Sequence, residues 1–266
     1  MPHKYADVGG VATYVHHVGA TTLPERVPDL SRGETILCLH CSGGNGAMFA
    51  DVLADLGTDQ SPLAIDFPGH GRSAGLDSLG CTRKMADFAA AFLDKWGIAR
   101  AVLLGHSMGG AVALRLALER PALVRALVLC ASAPKFAGQA IPAVERCVAG
   151  REPRPFFRDA YSPKAPPDVI RRGFMENLKT DPRALLGDLE ACRDFAVEGE
   201  LARVRVPTLV VVGSDEDAAM RAGSERLARE IPAATLAIVS DAAHMVPLEQ
   251  PGALAGAVRE FLRELP

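Results

Sequence analysis

No run of the ~18 consecutive apolar residues that a membrane-spanning helix needs occurs in the 266 residues of the chain. The first residues, Met1-Pro2-His3-Lys4-Tyr5-Ala6-Asp7, lack the apolar segment of a signal peptide. A secreted or membrane-spanning protein is therefore not expected, and a cytoplasmic one is. Basic runs are missing as well. The 29 Lys and Arg are outnumbered by 32 Asp and Glu, for a net charge of −3, so neither nucleic acid nor an anionic membrane is an expected partner. The six cysteines stand scattered at 38, 41, 81, 130, 147 and 192. Cys38-x-x-Cys41 has zinc-like spacing, but no second pair follows it, and no metal site is expected. Cys38 and Cys130 fall in apolar runs, where cysteine acts as a small hydrophobe, and reduced thiols fit the cytoplasm. Gly43-Gly44-Asn45-Gly46 has no Lys-Ser/Thr after it, which excludes a P-loop. No internal repeat is present.

What remains is ordinary globular material, 48% hydrophobic and 23% charged, enough for one α/β domain with a substantial core. Short apolar runs at Val11–Val18, Thr35–Leu39, Ser61–Phe67, Ala101–Leu104, Ala126–Cys130, Thr208–Val212 and Thr235–Val239 read as strands. All but the first are nearly continuous, as in strands covered on both faces. Between them, helical patterns occupy Ala47–Leu56, Met85–Trp96, Ala111–Glu119, Gly223–Ile231 and Ala253–Leu262. Such alternation predicts a mostly parallel sheet flanked by helices. From Pro134 to Val204 no strand pattern occurs, and the segment is rich in proline, arginine and helical stretches, with Leu185-Leu186-x-x-Leu189 and Phe195 giving one amphipathic face. It far exceeds the ~12–15 residues of an unstructured loop, which predicts a helical cap (134–204) inserted before the penultimate strand of a core formed by 1–133 and 205–266.

Gly105-His106-Ser107-Met108-Gly109 matches G-x-S-x-G at a strand-to-helix turn. A turn this tight strains the serine and leaves no room for side chains two residues to either side, which is why glycine stands there. The helix that follows offers free N–H groups to an oxyanion. The plainer role for Ser107 is a helix N-cap, but the flanking strand and helix favour a nucleophile. A serine needs a base. Of seven histidines, His244 is the most C-terminal and follows the last predicted strand, as the chain order serine, acid, histidine requires. His106 is expected to point aside, toward packing or toward groups that support the site.

These features, with Leu39-His40-Cys41-Ser42-Gly43-Gly44 after one strand and Asp66-Phe67-Pro68-Gly69-His70-Gly71-Arg72-Ser73 after the next, resemble the α/β-hydrolase fold superfamily over nearly the whole chain outside the cap. The second segment is similar to the family's D-x-x-G-x-G-x-S, with Asp66 in a structural role. The resemblance implies an oxyanion hole from the backbone N–H groups of Ser42 and Met108. Cys41 departs from the family's usual glycine, a change that a backbone donor tolerates. The family places its acid three residues after the glycine ending the penultimate strand. Counting from Gly213 leads to Glu216, with Asp217 next and Asp215 third if the loop is shifted. At least two of the three must serve otherwise, for instance in capping the following helix. The end of the Ala126–Cys130 strand, Ala131-Ser132-Ala133, offers no alternative acid.

The implied activity is hydrolysis of an ester, lactone or thioester through an acyl-enzyme, as in bacterial enol-lactonases and carboxylesterases, with a small-molecule substrate and no cofactor. The same triad supports carbon–carbon bond hydrolysis of a dienoic or β-diketone acid, or acyl transfer. The fold also hosts non-catalytic ligand-binding members. Substrate identity and oligomeric state are not legible in the residues.

Overall fold

The computed structural model describes residues 3–20 and 26–265. Met1 and Pro2 of the N-terminal stretch, and the outer limits 1 and 266 of the expected core, lie outside the described residues. Among these, eight strands form one sheet in the order β1-β2-β4-β3-β5-β6-β7-β8. The strands are β1 (His3–Val8), β2 (Val11–His17), β3 (Thr35–Leu39), β4 (Ser61–Ile65), β5 (Ala101–His106), β6 (Val124–Cys130), β7 (Thr208–Gly213) and β8 (Ala234–Val239). β1 and β2 pair antiparallel, β2 runs antiparallel to β4, and the rest of the sheet is parallel.

The continuous apolar runs follow from helices on both faces. In β3, Leu37 and Leu39 join the cluster under α2 (Thr82–Lys95) and α3 (Met108–Glu119), and Ile36 and Cys38 join the one under α1 (Ala50–Leu56) and α9 (Pro251–Arg263). β5 and β6 divide in the same way, with Leu103, Leu127 and Leu129 on one face and Val102, Leu104, Val128 and Cys130 on the other. Along α2, Met85, Ala89, Phe92 and Leu93 recur at helical spacing and are fully buried.

β1 was not anticipated from the sequence. Its polar His3, Lys4 and Asp7 mask an alternation in which Ala6 and Val8 face inward and Tyr5 faces out. The missed signal is Gly9-Gly10: Val8 pairs with Val11, so the two glycines form a two-residue hairpin turn, both at positive φ (60° and 85°). β8 is the second correction. It reads as a covered strand, yet as the sheet edge it leaves Leu236 40% and Ile238 51% exposed.

Between β6 and β7 lie α4 (Ile141–Val148), α5 (Pro167–Asn177) and α6 (Pro182–Arg193). The segment leaves and re-enters at one point, where Lys135 bridges Ala196 and Val197 N–H donates to Pro134 O. The buried face of α6 is Ala184, Leu185, Asp188, Ala191 and Cys192. Leu186 and Leu189, read as part of that face, are only half-buried. Two further helices complete the chain order: α7 (Ala218–Glu230) after β7, and the single turn α8 (Val246–Glu249) before α9.

Leu37 and Leu236, each the third residue of its strand, should therefore respond differently to truncation. Leu37→Ala, at a fully buried site, should cost about 2–5 kcal/mol. Leu236→Ala on the open edge should cost less than about 1 kcal/mol. Urea unfolding with an unchanged m-value measures both.

Candidate active site

Ser107 occupies the turn between β5 and α3 with φ 55° and ψ −113°, a conformation that costs a non-glycine residue about 1–3 kcal/mol. Close backbone packing enforces it. A Cβ on Gly105 would overlap the carbonyl of Gly109, and one on Gly109 would overlap the carbonyl oxygen of Leu39. Gly110, not singled out from the sequence, is needed as well, because a Cβ there would overlap Ser132 Oγ. The turn is pinned by Ser107 N–H to Cys130 O (2.9 Å) and by Ser132 Oγ–H to Ser107 O (3.0 Å). The Ser107 hydroxyl itself has no hydrogen-bond partner among the described residues.

His244 lies in the loop after β8. Its Nδ1 is 2.9 Å from Glu216 Oε2, whose side chain is 2% exposed. With Nδ1–H donating to the carboxylate, Nε2 carries the lone pair when the ring is neutral. The loop is held from three directions. His106 Nε2–H donates to the His244 carbonyl (2.7 Å), so the residue expected to point aside ties the serine turn to the histidine loop. Ala243 N–H donates to Glu249 Oε2 (3.0 Å), and Glu249 Oε1 accepts from Ser162 N–H (2.6 Å). Gly213 allows Ala242 and Ala243 to pack against the end of β7, where a Cβ would overlap their carbonyls. Glu249 was not read from the sequence; its signal was a single acid in the apolar run Val246-Pro247-Leu248.

The three acids separate cleanly. Asp217 is the N-cap of α7 and accepts from Ala219 N–H (2.9 Å) and Met220 N–H (3.1 Å). Asp215 is exposed and accepts from Ser162 Oγ–H (2.5 Å) and Ser214 Oγ–H (3.0 Å). Only Glu216 reaches His244. Burial alone would push the His244 pKa down, but the Glu216 hydrogen bond and charge, aided by Asp217 and Glu249, outweigh it and hold the pKa above 6.5. His106, buried and beside His244, is pushed down to about 3 and stays neutral.

The loop after β3 brings Ser42 to the same end of the sheet. His40 Nε2 accepts from Phe67 N–H (3.1 Å), so its proton is on Nδ1, which donates to Cys41 O (2.9 Å). Gly44 N–H donates to the same oxygen (3.0 Å). In a trans peptide the N–H points opposite the C=O, so fixing Cys41 O also fixes the direction of Ser42 N–H. No acceptor for Ser42 N–H or Met108 N–H is found among the described residues. Cys41 Sγ points instead to Met48 Sδ (3.7 Å). Asp66 is structural, as read, accepting from His16 Nε2–H (2.9 Å), Gly46 N–H (2.7 Å) and Arg72 N–H (2.9 Å).

A small apolar cluster of Cys41, Met48, Tyr161, Ala165, Met245 and Leu248 joins the Ser42 loop, the inserted segment and the His244 loop. The Phe136 and Phe195 rings meet tilted, 6.1 Å between centroids, and pack on the main core, whereas Phe156 and Phe157 are exposed. Arg154 donates to Asn177 Oδ1 and Thr180 O, and Arg172 pairs with Asp51. Among the described residues no group of three His, Cys, Asp or Glu is placed to hold a metal, and all six cysteines are free. No helix among them is long and apolar enough to cross a membrane.

Titration of the His244 ring by NMR should give a midpoint above 6.5. Glu216→Gln removes the charge and hydrogen bond that oppose burial, and should bring the midpoint below 6.5. Asp217→Asn should move it less.

Known proteins resemble this chain in sequence and in fold. A putative carbamate hydrolase RutD of Pseudomonas syringae pv. syringae is 30% identical over 84% of this chain and 92% of that protein. A pimeloyl-[acyl-carrier protein] methyl ester esterase of Neisseria meningitidis is 28% identical over 85% of this chain and 92% of that protein. The fold matches that of an enol-lactonase from Burkholderia xenovorans LB400 with a TM-score of 0.84, at 24% identity over 98% of this chain and 100% of that one. The model of the alpha/beta hydrolase family matches residues 36–257, a span that contains every residue of the site, and the chain belongs to that family.

Proposed function

We propose that the protein is a serine hydrolase that cleaves an ester, lactone or thioester of a small organic substrate. Ser107 attacks the carbonyl while His244 Nε2 takes its proton, and Glu216 orients the imidazole and stabilises its charged form. Ser42 and Met108 N–H groups stabilise the oxyanion. His244 then protonates the leaving group, and water activated by the same ring releases the acid. No step calls for a metal or organic cofactor. The observation that carries this reading is a convergence: His106, next to Ser107, donates to the carbonyl of His244, whose ring is bonded to the buried Glu216. Relatives named for ester, lactone and carbamate hydrolysis support the same acyl chemistry. Residues 134–204 act as a cap over this site, on a core of 1–133 and 205–266. Six free cysteines favour a reducing compartment such as the cytoplasm.

Ser107→Ala should abolish turnover of p-nitrophenyl butyrate and labelling by a fluorophosphonate while leaving the circular dichroism spectrum unchanged. Activity above a mock preparation in that variant would refute the nucleophile. Glu216→Gln should lose orders of magnitude in kcat, up to about 10⁴-fold by analogy with a serine-protease acid, with Asp215→Asn and Asp217→Asn within a few-fold of wild type. The reactive imidazole is the neutral one, so the rate should rise with pH through one ionisation above 6.5 and be lost as pH falls below it. A rate that falls between pH 5 and 8 would contradict the base assignment.

A further inference from the structure

We infer that Asp188, on α6 of the inserted segment, is the positioning residue of the oxyanion loop: it holds the Gly43 peptide and thereby the Ser42 N–H. The function of that loop rests on the hydrolase reading; the way it is held does not.

Asp188 is fully buried on the inner face of α6, where helical spacing calls for an apolar residue between Leu185 and Cys192. Its Oδ2 accepts from Gly43 N–H and from His70 Nε2–H, both at 2.8 Å, and its Oδ1 accepts from Ser78 Oγ–H at 2.6 Å. His70 Nδ1 is 3.0 Å from Pro68 O. Both ring nitrogens thus face acceptors, and a ring that donates from both is an imidazolium. Burial opposes each charge, and the partner outweighs it: the Asp188 pKa lies below its ordinary value and the His70 pKa above.

A buried ion pair is seldom a gain in stability over apolar residues of the same shape. What this pair supplies is direction. The carbonyl on one side of Ser42 is fixed by His40 and Gly44, and the N–H on its other side by Asp188. Both peptide planes flanking Ser42 are held, so its own N–H has little freedom to turn. The inserted segment also grips the loop elsewhere. Asn177 Nδ2–H donates to Gly43 O (3.1 Å), Thr180 Oγ1–H to Gly44 O (3.4 Å), and Asn45 Nδ2–H to Glu176 O (3.1 Å). The contact is close enough that a Cβ on Gly43 would lie 2.7 Å from Leu185 Cδ1. The cap therefore completes the oxyanion loop as well as covering it.

The test combines kinetics with amide hydrogen exchange on Asp188→Ala and Asp188→Asn. Loss of one oxyanion donor costs about 10²–10³ in kcat, and a misdirected donor should cost part of that. Asp188→Ala should lower kcat at least about ten-fold with KM within two-fold, because the oxyanion contact strengthens in the transition state. Asp188→Asn keeps the volume and one acceptor and should fall between alanine and wild type. Exchange in the peptide covering residues 39–48 should speed up in the same order. Wild-type kcat in both variants overturns the inference, as does unchanged exchange in that peptide, or a rise in KM at constant kcat, which is what loosening of a substrate pocket alone would produce. A wild-type protein inactive toward esters, lactones and thioesters alike would refute the hydrolase reading, and the exchange measurement would still decide how the loop is held.

Discussion

The site depends on backbone packed directly on backbone at the end of β5. Gly109 lies against the Leu39 carbonyl, and Gly105 against Gly109; this contact forces Ser107 into its strained conformation. It also determines what stands beside the serine. β3 pairs with β5 in parallel, Leu39 opposite Gly105, so the chains leaving the two strands emerge side by side, and one carries Ser107 and the other Ser42. Further along the same edge Gly213 of β7 stands opposite Val239 of β8, and the loops that follow bring Glu216 to His244. Adjacent parallel strands thus gather four residues that are up to 202 positions apart in sequence (42 to 244), at the C-terminal edge where open α/β sheets bind their ligands.

Much of this was legible because it obeys short-range rules. The serine turn declares itself through its glycines and its flanking strand and helix, and every parallel strand of the core through its nearly continuous apolar run. The count from Gly213 ranked Glu216 ahead of Asp217 and Asp215, and local pattern could go no further than that ranking, because a loop shift of one residue exchanges the three carboxylates. The structure distinguishes them by one helix cap and one ring nitrogen. β1 escaped because its apolar inward residues are only Ala6 and Val8, its third inward residue is Lys4, and Tyr5 and Asp7 face out. The exposure of β8 escaped for the converse reason, since composition does not report which strand is last in a sheet. Asp188 and Glu249 were invisible for a different cause. Each is a single acid on an apolar surface, and its partners, Gly43 and His70 in one case and Ala243 and Ser162 in the other, come from elements whose proximity is set by the tertiary fold.

The polar groups around the site form two sets with opposite electrostatic characters. His244 and His70 each face a buried carboxylate that favours their charged forms. His40 and His106 face backbone groups and lie beside those same rings, at 4.9 Å and 5.2 Å between centroids. Each neutral histidine uses a defined tautomer to orient a carbonyl, and the adjacent ring helps to keep it neutral. The arrangement resembles a scaffold of fixed dipoles with the ionising groups placed between them.

Those fixed dipoles give the protein an acid limit. Burial, and then the neighbouring His70, push the His40 pKa down to about 4, whereas an unfolded chain takes up that proton near 6.5. The stability that His40 contributes is complete above pH 6.5 and drains away as pH falls to about 4, a loss on the order of 3 kcal/mol set against the ~5–15 kcal/mol of a typical domain. A second proton on the ring would also abolish the acceptor that holds Phe67 N–H. Acidification should therefore unsettle the turn around Ser42 before it reaches the apolar layers beneath, so that the medium erodes the working end of the molecule first.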